Sequence, residues 1–92
     1  MNLRTLKKEI DYRLEELVFD CDMAMYVQQA KDSEIFAVMQ KGVELRNSLY
    51  TKVNNPDEPH NASLVRKYYK ALHAEIIDSY DALFEELSKI NK

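Results

Sequence analysis

Three apolar runs recur at alternating three- and four-residue steps along this chain, and a period near 3.6 residues is the signature of helix. The first passes through Leu3, Leu6, Ile10, Leu14, Leu17, Cys21 and Ala24. The second passes through Ile35, Val38, Met39, Gly42, Leu45, Leu49 and Val53. The third passes through Val65, Tyr69, Leu72, Ile76, Tyr80, Leu83, Leu87 and Ile90. A fold rich in turns needs Gly, Asn and Pro for its unusual backbone angles. This chain of 92 residues has one Gly and two Pro, so it has few turns and long elements. The expected fold is all-α, a single domain over residues 1–92, arranged as a three-helix up-down-up antiparallel bundle that dimerises. Its helices are expected at about 2–30, 33–53 and 61–91.

The boundaries differ in strength. Asn54-Asn55-Pro56-Asp57-Glu58-Pro59 is a plain break, because proline lacks the N–H that a helix needs and clashes with the preceding turn. Asn61 or Ser63 is the expected cap of the third helix, and Asp32 or Ser33 that of the second. Between the first and second helices neither Gly nor Pro occurs, and the stripe continues in heptad phase from Cys21 through Gln28 to Ile35. A single helix of about 50 residues is the alternative there. Gln28, Lys31 and Asp32 would place polar groups on its seam, which favours a turn near Lys31. Val18, Phe19, Met23, Met25, Tyr26 and Val27 widen the first stripe, so the second half of that helix is expected to be covered on two sides. Gly42 lies on the apolar face and marks close approach of a neighbouring helix.

Unequal lengths carry the functional expectation. At 1.5 Å per residue the outer helices would span roughly 45 Å and the middle one roughly 30 Å. An apolar strip would stay open, and such strips mark interaction surfaces. Leu3, Leu6, Ile10, Val65, Tyr68 and Tyr69 are the expected interface at one end, and Leu83, Leu87 and Ile90 at the other. The lead reading is a non-catalytic, cytoplasmic helical bundle acting through protein–protein contacts, as a homodimer or with another protein. Cytoplasmic placement rests on the single Cys21, which cannot form an intrachain disulfide, and on a charged N-terminus that does not read as a signal peptide. No run approaches the ~18 apolar residues of a membrane span.

Sharper chemistries find little support. The net charge is −3, which offers no global attraction for nucleic acid. Arg66-Lys67-Tyr68-Tyr69-Lys70 sets cations beside aromatics, as single-stranded nucleic-acid binding requires. Both tyrosines, however, belong to or flank the core stripe. Arg4, Lys7 and Lys8 open the first helix as Arg66, Lys67 and Lys70 open the third, so weak nucleic-acid binding through these basic ends is a third reading. His73 lacks the Glu three residues earlier that a helical di-metal site uses, since position 70 is Lys. Asp78, Asp81 and Glu85 share a face as solvated acids do, and Asp57 and His60 fall within the proline loop. Cys21 sits on the core stripe between two aspartates, which disfavours a thiolate. Asn61-Ala62-Ser63 matches a glycosylation acceptor but also a helix cap. No catalytic, cofactor or metal residues are assigned.

Leu3-Arg4 and Ile10-Asp11-x-x-Leu14, together with the length and three-helix pattern, resemble the start of the all-helical chorismate mutase family. The resemblance covers about a dozen residues. It implies a small helical enzyme whose interior cations hold a dicarboxylate transition state. Lys7 matches the first of those cations, but the later cationic positions fall on Ala24 and Ile35. The small enzyme or ligand-binding bundle is therefore the alternative reading, chorismate-mutase-like in shape without the interior charge. Small acidic bundles acting as immunity or antitoxin-type partners are similar in shape alone.

Overall fold

In a computed structural model the protein is described over residues 2–56 and 59–90, and these form three helices and no strand. Helix α1 spans Leu3–Val27, α2 Asp32–Asn54 and α3 Ala62–Ile90. Asn91, expected at the end of the third helix, lies outside the described residues.

Each start has a local cause. Asn2 caps α1, its side-chain oxygen accepting from the Thr5 N–H at 2.8 Å. Asn61 does the same for α3 through the Leu64 N–H at 3.1 Å, so Asn61 rather than Ser63 is the cap. Helix α2 carries Asp32 and Glu34 in its first turn, where the macrodipole favours acids.

The turn between α1 and α2 explains why it left so faint a trace. Gln28 leaves helical geometry at φ −127°, ψ 70°, while its N–H still donates to the Ala24 carbonyl at 2.8 Å. One 3-10 turn over Gln29–Lys31 follows, and Asp32 is already helical. Neither flanking residue has positive φ, so no glycine is required. Lys31 donates from Nζ to the carbonyl of Ile90 at 2.8 Å, tying this turn to the last turn of α3.

The pairings between helices run in a definite order. Early α1 meets late α2: Asp11 accepts from Arg46 Nε at 3.1 Å and from the Tyr50 hydroxyl at 2.6 Å. Further along, Leu14 and Leu17 meet Gly42. Between α2 and α3, Lys41 pairs with Glu86 at 2.6 Å and Lys52 with Glu75 at 2.9 Å. Arg13 joins α1 to α3, pairing with Glu9 at 2.9 Å and Asp81 at 3.5 Å. The result is a rod of 51 × 17 × 16 Å.

Its core draws on all three helices: Leu6, Ile10, Leu17, Cys21 and Ala24 from α1, Ile35, Val38, Leu49 and Val53 from α2, and Leu72, Ile76, Tyr80, Leu83 and Leu87 from α3. At Gly42, α1 packs closely on α2. A Cβ there would stand 2.7 Å from Leu17 Cδ2 and 3.3 Å from Leu14 Cδ1. Its carbonyl accepts from the buried Tyr80 hydroxyl at 3.1 Å.

Candidate functional site

The strip expected to stand open is largely closed within one chain. Leu6, Ile10, Leu83 and Leu87 are buried core residues, which corrects their expected exposure. The reason is length. Helix α1 stops at Val27 and α2 runs on to Asn54, giving 25 and 23 residues instead of a long helix beside a short one. Leu3 is exposed, and Val65, Tyr68, Tyr69 and Ile90 are half-buried. Tyr68 and Tyr69 are held by their hydroxyls, which donate to the Lys52 and Val53 carbonyls at 2.8 and 3.0 Å. Their rings meet edge to face at 5.6 Å.

The open apolar surface lies elsewhere, on the outer side of α1. Tyr12, Phe19, Met23, Tyr26 and Val27 are 63, 63, 50, 79 and 73% exposed. Tyr12, Phe19 and Tyr26 repeat every seven residues, with Met23 four after Phe19, so they form one stripe along the helix. At 100° per residue that stripe points away from the stripe of Leu6, Ile10, Leu17, Cys21 and Ala24. Helix α1 therefore has two apolar faces, and the chain covers one. The widening of the α1 pattern over residues 18–27 is the sequence signal of this second face. Tyr12, standing alone among charged residues, gave no such signal.

Two shallower apolar surfaces accompany the stripe. Met23, Ala24 and Val27 line a cleft of about 480 Å³ with Phe84, Leu87 and Ser88 of α3. On α2, Phe36, Met39 and Val43 lie along a smaller one of about 270 Å³.

Charge is divided along the rod. The segments 3–13, 44–54 and 62–79 carry nine Lys or Arg against five Asp or Glu, whereas 14–43 and 80–90 carry nine Asp or Glu against three Lys. The apolar stripe falls mainly in the acidic part. Glu15, Glu16, Asp20 and Asp22 flank it, and none of them makes an ion pair among the described residues. Lys8 stands one turn before Tyr12 on the same side, with Arg4 one turn earlier.

Other groups have structural partners. Arg46 lies 4.1 Å over the Tyr50 ring and Lys7 5.6 Å from it, so Lys7 is held against an aromatic face at the surface. Ala24 and Ile35, the other positions matched to interior cations, are core residues. Burial, with Asp20 and Asp22 adding to it, pushes the Cys21 thiol up to about 11. Burial likewise pushes the Tyr80 phenol up to about 12. Arg66, Tyr69, Lys70 and the half-buried His73 line a cleft of about 290 Å³ on α3. No three His, Cys, Asp or Glu side chains converge on a metal position among the described residues, and no described helix is long and apolar enough to cross a membrane.

Compared with protein-family models, curated proteins and solved structures, the chain matches none of them.

Proposed function

We propose that this protein is an up-down-up three-helix bundle, non-catalytic, that acts by protein–protein contact and self-associates through the outer face of α1. The observation that carries the reading is the second apolar face of that helix. Among the described residues, six of the nine exposed large hydrophobics are on α1, and five of them lie on or beside one stripe. Tyr12, Phe19, Met23, Tyr26 and Val27 together expose roughly 600 Å², against about 800 Å² per partner in an interface of standard size. Aromatic side chains of this kind dominate binding energy when they become buried. Leaving them in water serves no purpose of the fold, because the core is already closed beneath them.

Sedimentation equilibrium at micromolar concentration tests this. The expected species is a dimer of the 10.8 kDa chain. Phe19→Ser together with Tyr26→Ser should weaken association about a hundredfold or more, at roughly 1.5–3 kcal/mol for each large side chain no longer buried. Helical circular dichroism should be retained, since both side chains point away from the core. A wild-type chain that stays monomeric throughout would overturn self-association.

A further inference from the structure

We infer that the two copies lie antiparallel along α1, with the basic half of each rod against the acidic half of the other. The inference rests on the self-association proposed above and adds its direction. The occupant of the α1 face is then a second copy of this chain, chosen by charge complementarity.

The face reads, from its N-terminal end, Arg4, Lys8, Tyr12, then Glu15 and Glu16, then Phe19, Met23 and Tyr26. It is basic at its start and acid-flanked over its second half. In a parallel pair every group faces its own copy, so Lys8 meets Lys8 and the acids meet acids. Turned antiparallel about a two-fold axis between Glu15 and Glu16, Tyr12 of one copy lies over Phe19 of the other. Lys8 comes beside Met23 and its neighbours Asp20 and Asp22, and Arg4 beside Val27. Of Glu15, Glu16, Asp20 and Asp22, which make no ion pair among the described residues of the single chain, Asp20 and Asp22 thereby gain a cation nearby, twice over by symmetry. The rest of the rod agrees in sign, since the half with nine cations and five acids runs beside the half with nine acids and three cations. Only the seam charges count at physiological salt, where the screening length is about 8 Å.

This register has one built-in conflict that makes it testable. Glu15 of each copy meets Glu16 of the other at the two-fold axis. Neutralising them should tighten an antiparallel homodimer, whereas it would weaken the docking of a basic partner.

The experiment compares dimer dissociation constants by sedimentation equilibrium at low salt. Arg4→Glu with Lys8→Glu should weaken the dimer about tenfold, in keeping with several exposed pairs changed at once. Asp20→Lys with Asp22→Lys should do the same. An equimolar mixture of the two variants should associate as tightly as the wild type, because each seam end again joins opposite charges. Glu15→Gln with Glu16→Gln should associate more tightly than the wild type, and raising salt should weaken the wild-type dimer. If the wild type dimerises and Arg4→Glu with Lys8→Glu dimerises equally well, the antiparallel seam is overturned while self-association stands. Charge-reversed variants that each dimerise as tightly as the wild type, with a mixture tighter than either, would point to a parallel pair. A monomeric wild type removes self-association itself.

Discussion

Cys21 and Tyr80 resist ionisation because their charged forms would sit in a dry core. The thiol moves from 9.0 to about 11, burial being the larger cause and Asp20 and Asp22 the smaller. The phenol moves from 10.0 to about 12 by burial. In the unfolded chain both protons leave at the lower values, so the unfolded state gains from alkaline pH before the folded state does. The stability involved is fully present below about pH 9 and is lost as pH rises through 12, at about 1.4 kcal/mol per unit for each group. Urea midpoints should therefore be level from neutrality to about pH 8.5 and fall steeply above pH 9. Cys21→Ala should delay the onset to about pH 10, where Tyr80 contributes together with Tyr50, whose phenol is also raised by burial and its bond to Asp11. A midpoint unchanged at pH 11 would contradict this core. That Cys21 is packing was legible from its place in the stripe. That Tyr80 reaches the Gly42 carbonyl was not, because a hydroxyl's partner on another helix leaves no mark on sequence spacing.

Gly42 shows how much of an element's role a pattern can carry. Glycine inside a helix is about 1 kcal/mol less favourable than Ala, so its presence on an apolar face pointed to close approach by another helix. The 2.7 Å from its missing Cβ to Leu17 Cδ2 supplies the physical reason. Gly42→Ala sets the gain in helix propensity against displacement of that Leu17 methyl, and should change stability by no more than about 1 kcal/mol. Gly42→Leu has no comparable room, and its chemical-denaturation midpoint should fall by the equivalent of about 2–3 kcal/mol. A Gly42→Leu protein as stable as the wild type would mean α1 and α2 lie further apart than described. The helix ends divide similarly. Asn2 and Asn61 act where asparagine caps act in general, whereas the Gln28–Lys31 turn uses ordinary backbone angles and residues that could equally continue a helix. Helix α1 is the instructive element. Its wide apolar pattern was readable as a helix covered on two sides, and the single bundle supplies cover on one side only.

For the whole molecule, the proposed self-association would link stability to concentration. Folding coupled to dimerisation gives a Tm that rises with protein concentration. A hundredfold increase should raise Tm by about 5–10 °C, from about 2.7 kcal/mol spread over two domains of this size. The Phe19→Ser, Tyr26→Ser variant should show a Tm independent of concentration, and a wild-type Tm equally independent would argue against the dimer. The all-helical class, the three stripes and the proline break were determined by the sequence alone, because helical period and backbone restriction are local properties. Which apolar side chains remain in water was decided only by the tertiary structure. Exposure depends on how helix lengths and crossings distribute cover among competing faces. With α1 four residues shorter than expected and α2 two longer, Leu6, Ile10, Leu83 and Leu87 are buried, while Phe19 and Tyr26, equally apolar, were left outside.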